Sequence, residues 1–297
     1  MTIEVSRLTK RYGDVTAVRD LSFTVAPGVV TGFLGPNGAG KTTTMRMMTG
    51  LVSPTSGTAT IGGRPYRKLA RPSRTVGAVF DANAFHPGHT ARDHLRVYAA
   101  MGGYPDSRVT HLLDLLGLAE AADRRIRGFS TGMRQRLNLA TAMLGDPRVL
   151  LLDEPSNGLD PEGMSWLRGL LRRLADQGRT VLVSSHALSE IQQFVDDVVV
   201  IRRGELVAAG PWSRLAGPPL VLITTPDAAD LAAALAAGPA AQVEAVSADR
   251  LRVRGLDAPS VADLAAARGL RIHELVTENA SLEQLFLRLT TDQAATR

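Results

Sequence analysis

The residues with the most specific chemical pattern in this chain are Gly35-Pro36-Asn37-Gly38-Ala39-Gly40-Lys41-Thr42. A glycine, four residues, a second glycine, a lysine and a hydroxyl residue make the spacing of a phosphate-binding loop. Glycines let successive backbone N–H groups curl around phosphate oxygens, and the N-terminus of a following helix adds a partial positive charge. In that pattern Lys41 bridges the outer phosphates and Thr42 offers its hydroxyl to Mg²⁺. Such a loop works between a strand and a helix. The apolar run Val29-Val30-Thr31-Gly32-Phe33-Leu34 leads in and a helical pattern follows from Lys41 to Met48. The stretch predicts binding of a nucleoside triphosphate.

A second pattern belongs with the first. Leu152-Asp153-Glu154-Pro155 ends an apolar run. Two adjacent carboxylates closing a buried strand are costly unless metal or phosphate chemistry uses them. Asp153 is expected to hold Mg²⁺, through water, and Glu154 to polarise the attacking water as general base.

The elements that must position these groups are legible as periods. Ile3 and Val5, then Leu21, Phe23 and Val25, alternate as half-buried strands with a Gly13-Asp14 turn between them. A short strand is expected around Thr58–Ile61. From about Ala91 to Asp123 the period turns helical, with Val109, Leu112, Leu113 and Leu116 on one face. Val149–Leu152 and Thr180–Val183 are apolar at every position and separated by a helix over about Pro161–Ala175, as in a parallel sheet covered on both faces. Asp197–Ile201 and Glu205–Ala208 read as a hairpin, and Gly210-Pro211 to Pro218-Pro219 as a linker. Beyond it the pattern gives strand Leu220–Thr224, helix Ala228–Ala236, strands Val243–Val246 and Leu251–Val253, helix Ser260–Ala267, strand Leu270–Val276, and helix Leu282–Leu289 opened by a Ser281…Gln284 capping pair. That order contains the split βαβ plan of ferredoxin-like domains.

Composition narrows the classes. A chain of 297 residues, 44% apolar, can bury a substantial core and form one large and one small domain. There is no cysteine, which excludes disulfides, thiolate metal sites and cysteine nucleophiles. Met1-Thr2-Ile3-Glu4-Val5 has no basic-then-apolar export pattern, and no apolar run reaches membrane-spanning length. These features lead us to expect a soluble, cytoplasmic protein. The net charge of +5 points to nucleic acid, to an anionic membrane surface or to scattered surface arginines; without a dense basic run, scatter is the reading. His86, His89 and His94 invite a metal, but Pro87-Gly88 makes a loop between the first two, and neither a thiolate nor an acid pair completes a site.

Phe129-Ser130-Thr131-Gly132-Met133-Arg134-Gln135-Arg136 completes the set. With it, the chain resembles the ATP-binding subunits of ABC transporters, whose signature usually reads Leu-Ser-Gly-Gly-Gln; Ser130 and Gly132 match, while Phe129, Thr131 and Met133 depart. The resemblance covers roughly residues 1–210. It implies a P-loop NTPase core of α/β class with an antiparallel β subdomain and a helical subdomain at about 82–145; the residue pattern beyond it gives a linker at 211–219 and a small α+β domain at 220–297. It implies ATP and Mg²⁺ as ligands, with Gly35, Asn37, Gly38, Ala39, Gly40, Lys41, Thr42 and Thr43 around the phosphates, Tyr12 stacked on adenine and Val18 as an apolar wall. It makes Ser130, Thr131, Gly132 and Met133 contacts to the nucleotide of an opposite subunit, Asn157–Asp160 the D-loop, and His186 the switch residue that hydrogen-bonds the γ-phosphate. The family's glutamine at the end of Val76–Phe80 is here Asp81, which can also ligate Mg²⁺ but adds negative charge.

The partners so implied are an integral membrane subunit received by the 81–100 region and a second ATPase subunit, with no nucleic acid; the place implied is the inner face of the cell membrane. Glu278-Asn279-Ala280-Ser281-Leu282-Glu283-Gln284-Leu285-Phe286-Leu287 is similar to the C-terminal segment of daunorubicin-resistance-type exporter ATPases. A non-transport ABC ATPase acting on DNA or ribosomes would carry a coiled-coil insert or tandem ATPase domains, and this chain has neither; an importer ATPase would fit better with a strand-rich tail resembling a small β-barrel, whereas this tail mixes helices and strands. The expectation is an exporter.

Overall fold

The computed structural model describes residues 1–80, 85–217, 220–237, 242–278 and 282–283. The chain divides into two compact units, Met1–Pro211 and Trp212–Arg297.

In the first unit, strands β1 (Ile3–Tyr12) and β2 (Val15–Val25) form an antiparallel hairpin, and β3 (Val30–Leu34) leads into helix α1 (Lys41–Met48). Strand β4 (Ser56–Ile61), the short helix α2 (Pro72–Thr75) and β5 (Val76–Val79) follow. Helices α3 (Ala91–Gly102), α4 (Asp106–Leu115) and α5 (Thr131–Met143) precede β6 (Val149–Asp153), α6 (Pro161–Asp176) and β7 (Thr180–Ser185). Helix α7 (Leu188–Ile191), β8 (Asp197–Arg202) and β9 (Glu205–Pro211) end the unit.

Two sheets result. One is antiparallel, in the order β2-β1-β4; the other has the order β5-β6-β7-β3-β8-β9 and is parallel except for the edge strand β9. Strands β3, β6 and β7 are buried at every residue, as fits strands covered on both faces. One core joins the two sheets through α1: Ile3, Val5, Leu21 and Phe23 pack with Phe33, Met45, Met48, Leu151 and Leu182. The Phe23 and Phe33 rings stand 5.4 Å apart. This core fixes the loop between β3 and α1 from both sides. Helix α3 is opened by a capping box between Thr90 and Asp93, which satisfies two of its free terminal groups.

The stretch expected to be linker differs. Gly210 and Pro211 extend β9, where an edge strand tolerates proline, and Trp212–Ala216 forms a short helix, α8.

The second unit contains β10 (Leu220–Thr224), α9 (Ala228–Ala236), β11 (Gln242–Ser247), β12 (Arg250–Arg254), α10 (Ala258–Ala267) and β13 (Glu274–Glu278). Its four strands are all antiparallel in the order β11-β12-β10-β13, the split βαβ arrangement. Val221, Ile223, Leu251 and Val253 face Leu231, Leu235, Val261 and Ala265 of the helices. The last strand begins at Glu274 rather than Leu270, because the Leu270 N–H closes α10 on the Ala265 carbonyl and the Arg271 N–H is bound by the Asp227 carboxylate. The helix expected at Leu282–Leu289 and its capping pair lie mostly outside the described residues, as does the 278–287 segment beyond Glu278, Leu282 and Glu283.

Candidate functional site: a phosphate loop facing two strand-end carboxylates

Glycine is required at both ends of the loop for close approach. A Cβ on Gly35 would lie 2.4 Å from the Ile201 carbonyl oxygen of β8. Gly40, at φ +103°, would put one 2.6 Å from the Ala17 carbonyl oxygen. The loop is thus clamped between β8 and β2. Lys41 is buried, and its Nζ donates to the Gly35 carbonyl at 2.7 Å and stands 3.5 Å from Glu154 Oε1. Ala17, Asn37, Gly38, Ala39, Gly40, Lys41, Thr42, Thr43 and Glu154 line one cleft.

The carboxylates arrive from β6. Thr42 Oγ1 donates to Asp153 Oδ2 at 2.6 Å. Parallel pairing sets Ser184 of β7 beside Asp153. The Ser184 hydroxyl donates to Asp153 Oδ1 and accepts from the Glu154 N–H at 2.9 Å. Sequence reasoning passed over Ser184; strand register is what gives it two partners at the site. Glu154 has φ +50°, in the left-handed region that costs a non-glycine residue about 1–2 kcal/mol. Its carbonyl accepts from Asn157 N–H at 3.2 Å and Gln135 Nε2 at 3.4 Å, contacts that hold the turn. The strained turn thus holds the Glu154 carboxylate between the phosphate loop and the histidine. His186 Nδ1 lies 2.9 Å from Glu154 Oε2, so Lys41, Glu154 and His186 form one polar chain.

Other predicted positions fall elsewhere. Ser130 caps α5, accepting from the Met133 N–H at 3.2 Å, and none of Ser130–Met133 lines the cleft. Those residues meet 157–160 instead: a Cβ on Gly158 would strike Thr131 Cγ2 at 2.5 Å, and Leu159 lies beside Gly132. Asp160 caps α6, accepting from the Gly163 N–H at 2.7 Å. Tyr12 is half exposed at the end of β1, with the Lys10 ammonium 4.8 Å from its ring centroid. Val18 is wholly buried behind Gly40, and its neighbour Ala17 lines the cleft. Asp81 lies outside the described residues.

The three histidines do not converge. His86 and His89 stack at 4.5 Å, whereas His94 is buried between Phe85 and Tyr98 with Nε2 3.1 Å from Thr141 Oγ1. The Thr141 hydroxyl donates to the Leu137 carbonyl, so His94 Nε2–H is the donor to Thr141. Burial, with His89 nearby, lowers the His94 pKa to about 4. Among the described residues no cluster of three or more His, Cys, Asp or Glu forms a metal cage. The Thr42 hydroxyl and Asp153 carboxylate are a pair of hard oxygen donors, which fits Mg²⁺ completed by phosphate oxygens and water. A groove of about 460 Å³ opens between the core and the helical part, bordered by Leu51, Tyr66, Tyr98, Met101 and Tyr104.

Residues 18–157 match the family model described as ABC transporter, and residues 219–283 match one described as Domain of unknown function (DUF8746). The bacitracin transport ATP-binding protein BcrA of Bacillus licheniformis is 41% identical over 72% of this chain and 71% of its own length. A Nod factor export ATP-binding protein I of Paraburkholderia xenovorans is 38% identical over 97% of this chain and 96% of its own length. A solved ATP-binding subunit of an ABC transporter superposes with a TM-score of 0.66 at 26% identity, covering 72% of this chain and 92% of that one. With the phosphate loop, the strand-end carboxylates and these relatives in agreement, the chain belongs to the ABC transporter ATP-binding proteins and is an ATPase of that family.

Proposed function

We propose that this ATPase drives export through a membrane subunit, working as a head-to-tail pair on the inner face of the cell membrane. The observation that carries the catalytic part is the convergence of Lys41, Thr42, Asp153, Glu154 and His186 at the N-terminus of α1. Lys41, with the loop N–H groups, binds the outer phosphates. Thr42 and Asp153 would hold Mg²⁺, which would supply neutralisation of phosphate charge. Glu154 orients water and takes its proton, and His186 fixes the Glu154 carboxylate and reaches the terminal phosphate. Tyr12 supports the base.

Ser130–Met133 stand away from their own chain's cleft, which supports their service to a second subunit. Complementation tests this. Lys41→Ala and Ser130→Arg proteins are each inactive alone; mixed, a head-to-tail pair regains one intact site and partial hydrolysis. No recovery on mixing refutes the arrangement.

The Nod factor and bacitracin relatives, named as export and transport proteins, support the exporter reading. The 81–100 region takes the membrane subunit. Asp81, in place of the family's glutamine, would ligate Mg²⁺ and alter metal affinity or turnover; if Asp81→Gln leaves both hydrolysis and its Mg²⁺ dependence unchanged, that role is withdrawn.

A further inference from the structure

The positive charge of this chain is not evenly spread. No Asp or Glu occurs between Asp20 and Asp81, while Arg64, Arg67, Lys68, Arg71 and Arg74 fall within one short stretch. All five are exposed. None has a carboxylate within ion-pairing distance among the described residues, whereas Arg19, Arg92, Arg96, Arg108, Arg172 and Arg179 do. The nearby Asp146 is already shared by Arg108 and Arg179.

Two of these cations reach the groove described above. Tyr66 and Ser73, from the same stretch, line it. Arg67 donates to the Gly50 carbonyl at 2.9 Å, next to Leu51, and Arg74 lies 5.4 Å from the Tyr104 ring centroid. Leu51 and Met101, on the groove, are 67% and 78% exposed. Cations interleaved with projecting apolar side chains are the composition of a membrane-interface surface. We propose that the face carrying Arg64, Arg67, Lys68, Arg71 and Arg74 docks on anionic phospholipid headgroups, orienting the ATPase beside its membrane subunit. The inference rests on the proposed membrane role but needs neither the subunit nor catalysis.

The test is cosedimentation of the full chain with vesicles of phosphatidylcholine alone, or with about a third phosphatidylglycerol, at low and high salt. An anionic surface attracts each nearby basic residue by about fivefold in binding, so Arg64→Gln, Lys68→Gln and Arg71→Gln together should weaken binding on the order of 100-fold. These three make none of the contacts that anchor Arg67 and Arg74, so solution ATPase activity should persist. The charge-keeping pair Arg64→Lys and Arg71→Lys should bind as the parent does. Equal binding to neutral and anionic vesicles, or no effect of the triple variant, overturns the proposal. So does capture of a DNA duplex through these residues without vesicle binding, which would mark a nucleic-acid surface. Failure here alongside intact hydrolysis and complementation leaves the export reading standing.

Discussion

Ser184→Ala removes one hydroxyl and strips two functional groups at once. Asp153 Oδ1 loses a donor and the Glu154 N–H loses its acceptor, at a residue with no exposed surface. An unpaired buried group costs about 1–3 kcal/mol, more when charged, and the two losses share one site, so about 3 kcal/mol is expected. For a unit of this size each kcal/mol shifts the melting temperature by about 2–4 °C, giving roughly 6–12 °C. Glu154 sits in a strained left-handed conformation partly held by this hydroxyl, so hydrolysis should fall at least about tenfold, with a smaller change in ATP affinity. Ser185→Ala is the control: that hydroxyl accepts from the nearby Ala187 N–H and donates to the Ala187 carbonyl, both local contacts, and its loss should stay within about 1 kcal/mol. Thermal unfolding and steady-state hydrolysis on both variants decide it. A Ser184→Ala protein that melts within about a degree of the parent and hydrolyses at its rate would refute the reasoning.

Three further outcomes follow from the same geometry. Gly40→Ala places a Cβ 2.6 Å from a backbone oxygen at φ +103°, so the loop must shift; ATP binding by titration should be lost, whereas Gly38→Ala, with φ +78° but no atom within 4 Å, should bind weakly. Thr42→Val takes the donor from Asp153 Oδ2 and should raise the Mg²⁺ concentration needed for half-maximal hydrolysis, while Thr42→Ser retains the parent's requirement. His94, with a folded pKa of about 4 against about 6.5 unfolded, takes up its proton more readily in the unfolded chain. Its contribution is therefore full above pH 6.5 and lost as pH falls toward 4, by up to about 3 kcal/mol. Denaturant titrations should show that acid loss reduced in His94→Gln.

The parts of the site that lie consecutively in the chain are legible in the sequence. Gly35–Thr42 and Asp153-Glu154 carry their chemistry in fixed order, and the uniformly apolar β3, β6 and β7 announced a sheet covered on both faces. What depends on register was not legible. Nothing in the sequence says that β3 lies between β7 and β8, or that Ser184 pairs with Asp153 across two strands. The φ of Glu154 is imposed by the turn around it, not by its own preference. The resemblance makes Val18 an apolar wall of the cleft; in the fold Gly40 packs closely on 17–18, Val18 is buried and Ala17 lines the cleft. The basic residues of 64–74 look scattered because apolar and proline residues separate them; in the fold all five are exposed, and none has a carboxylate in ion-pairing range among the described residues. At β13 a local contest decided the boundary, since Arg271 is held by Asp227, whose pKa it lowers to about 2.

The central claim is that this loop is half of a site that ATP closes between two subunits. The direct measurement is the solution mass of Glu154→Gln with Mg·ATP, with Mg·ADP and without nucleotide. The account predicts a dimer under ATP alone, with hydrolysis nearly abolished. A protein that stays monomeric at saturating ATP, or that hydrolyses it at the parent's rate, would contradict it.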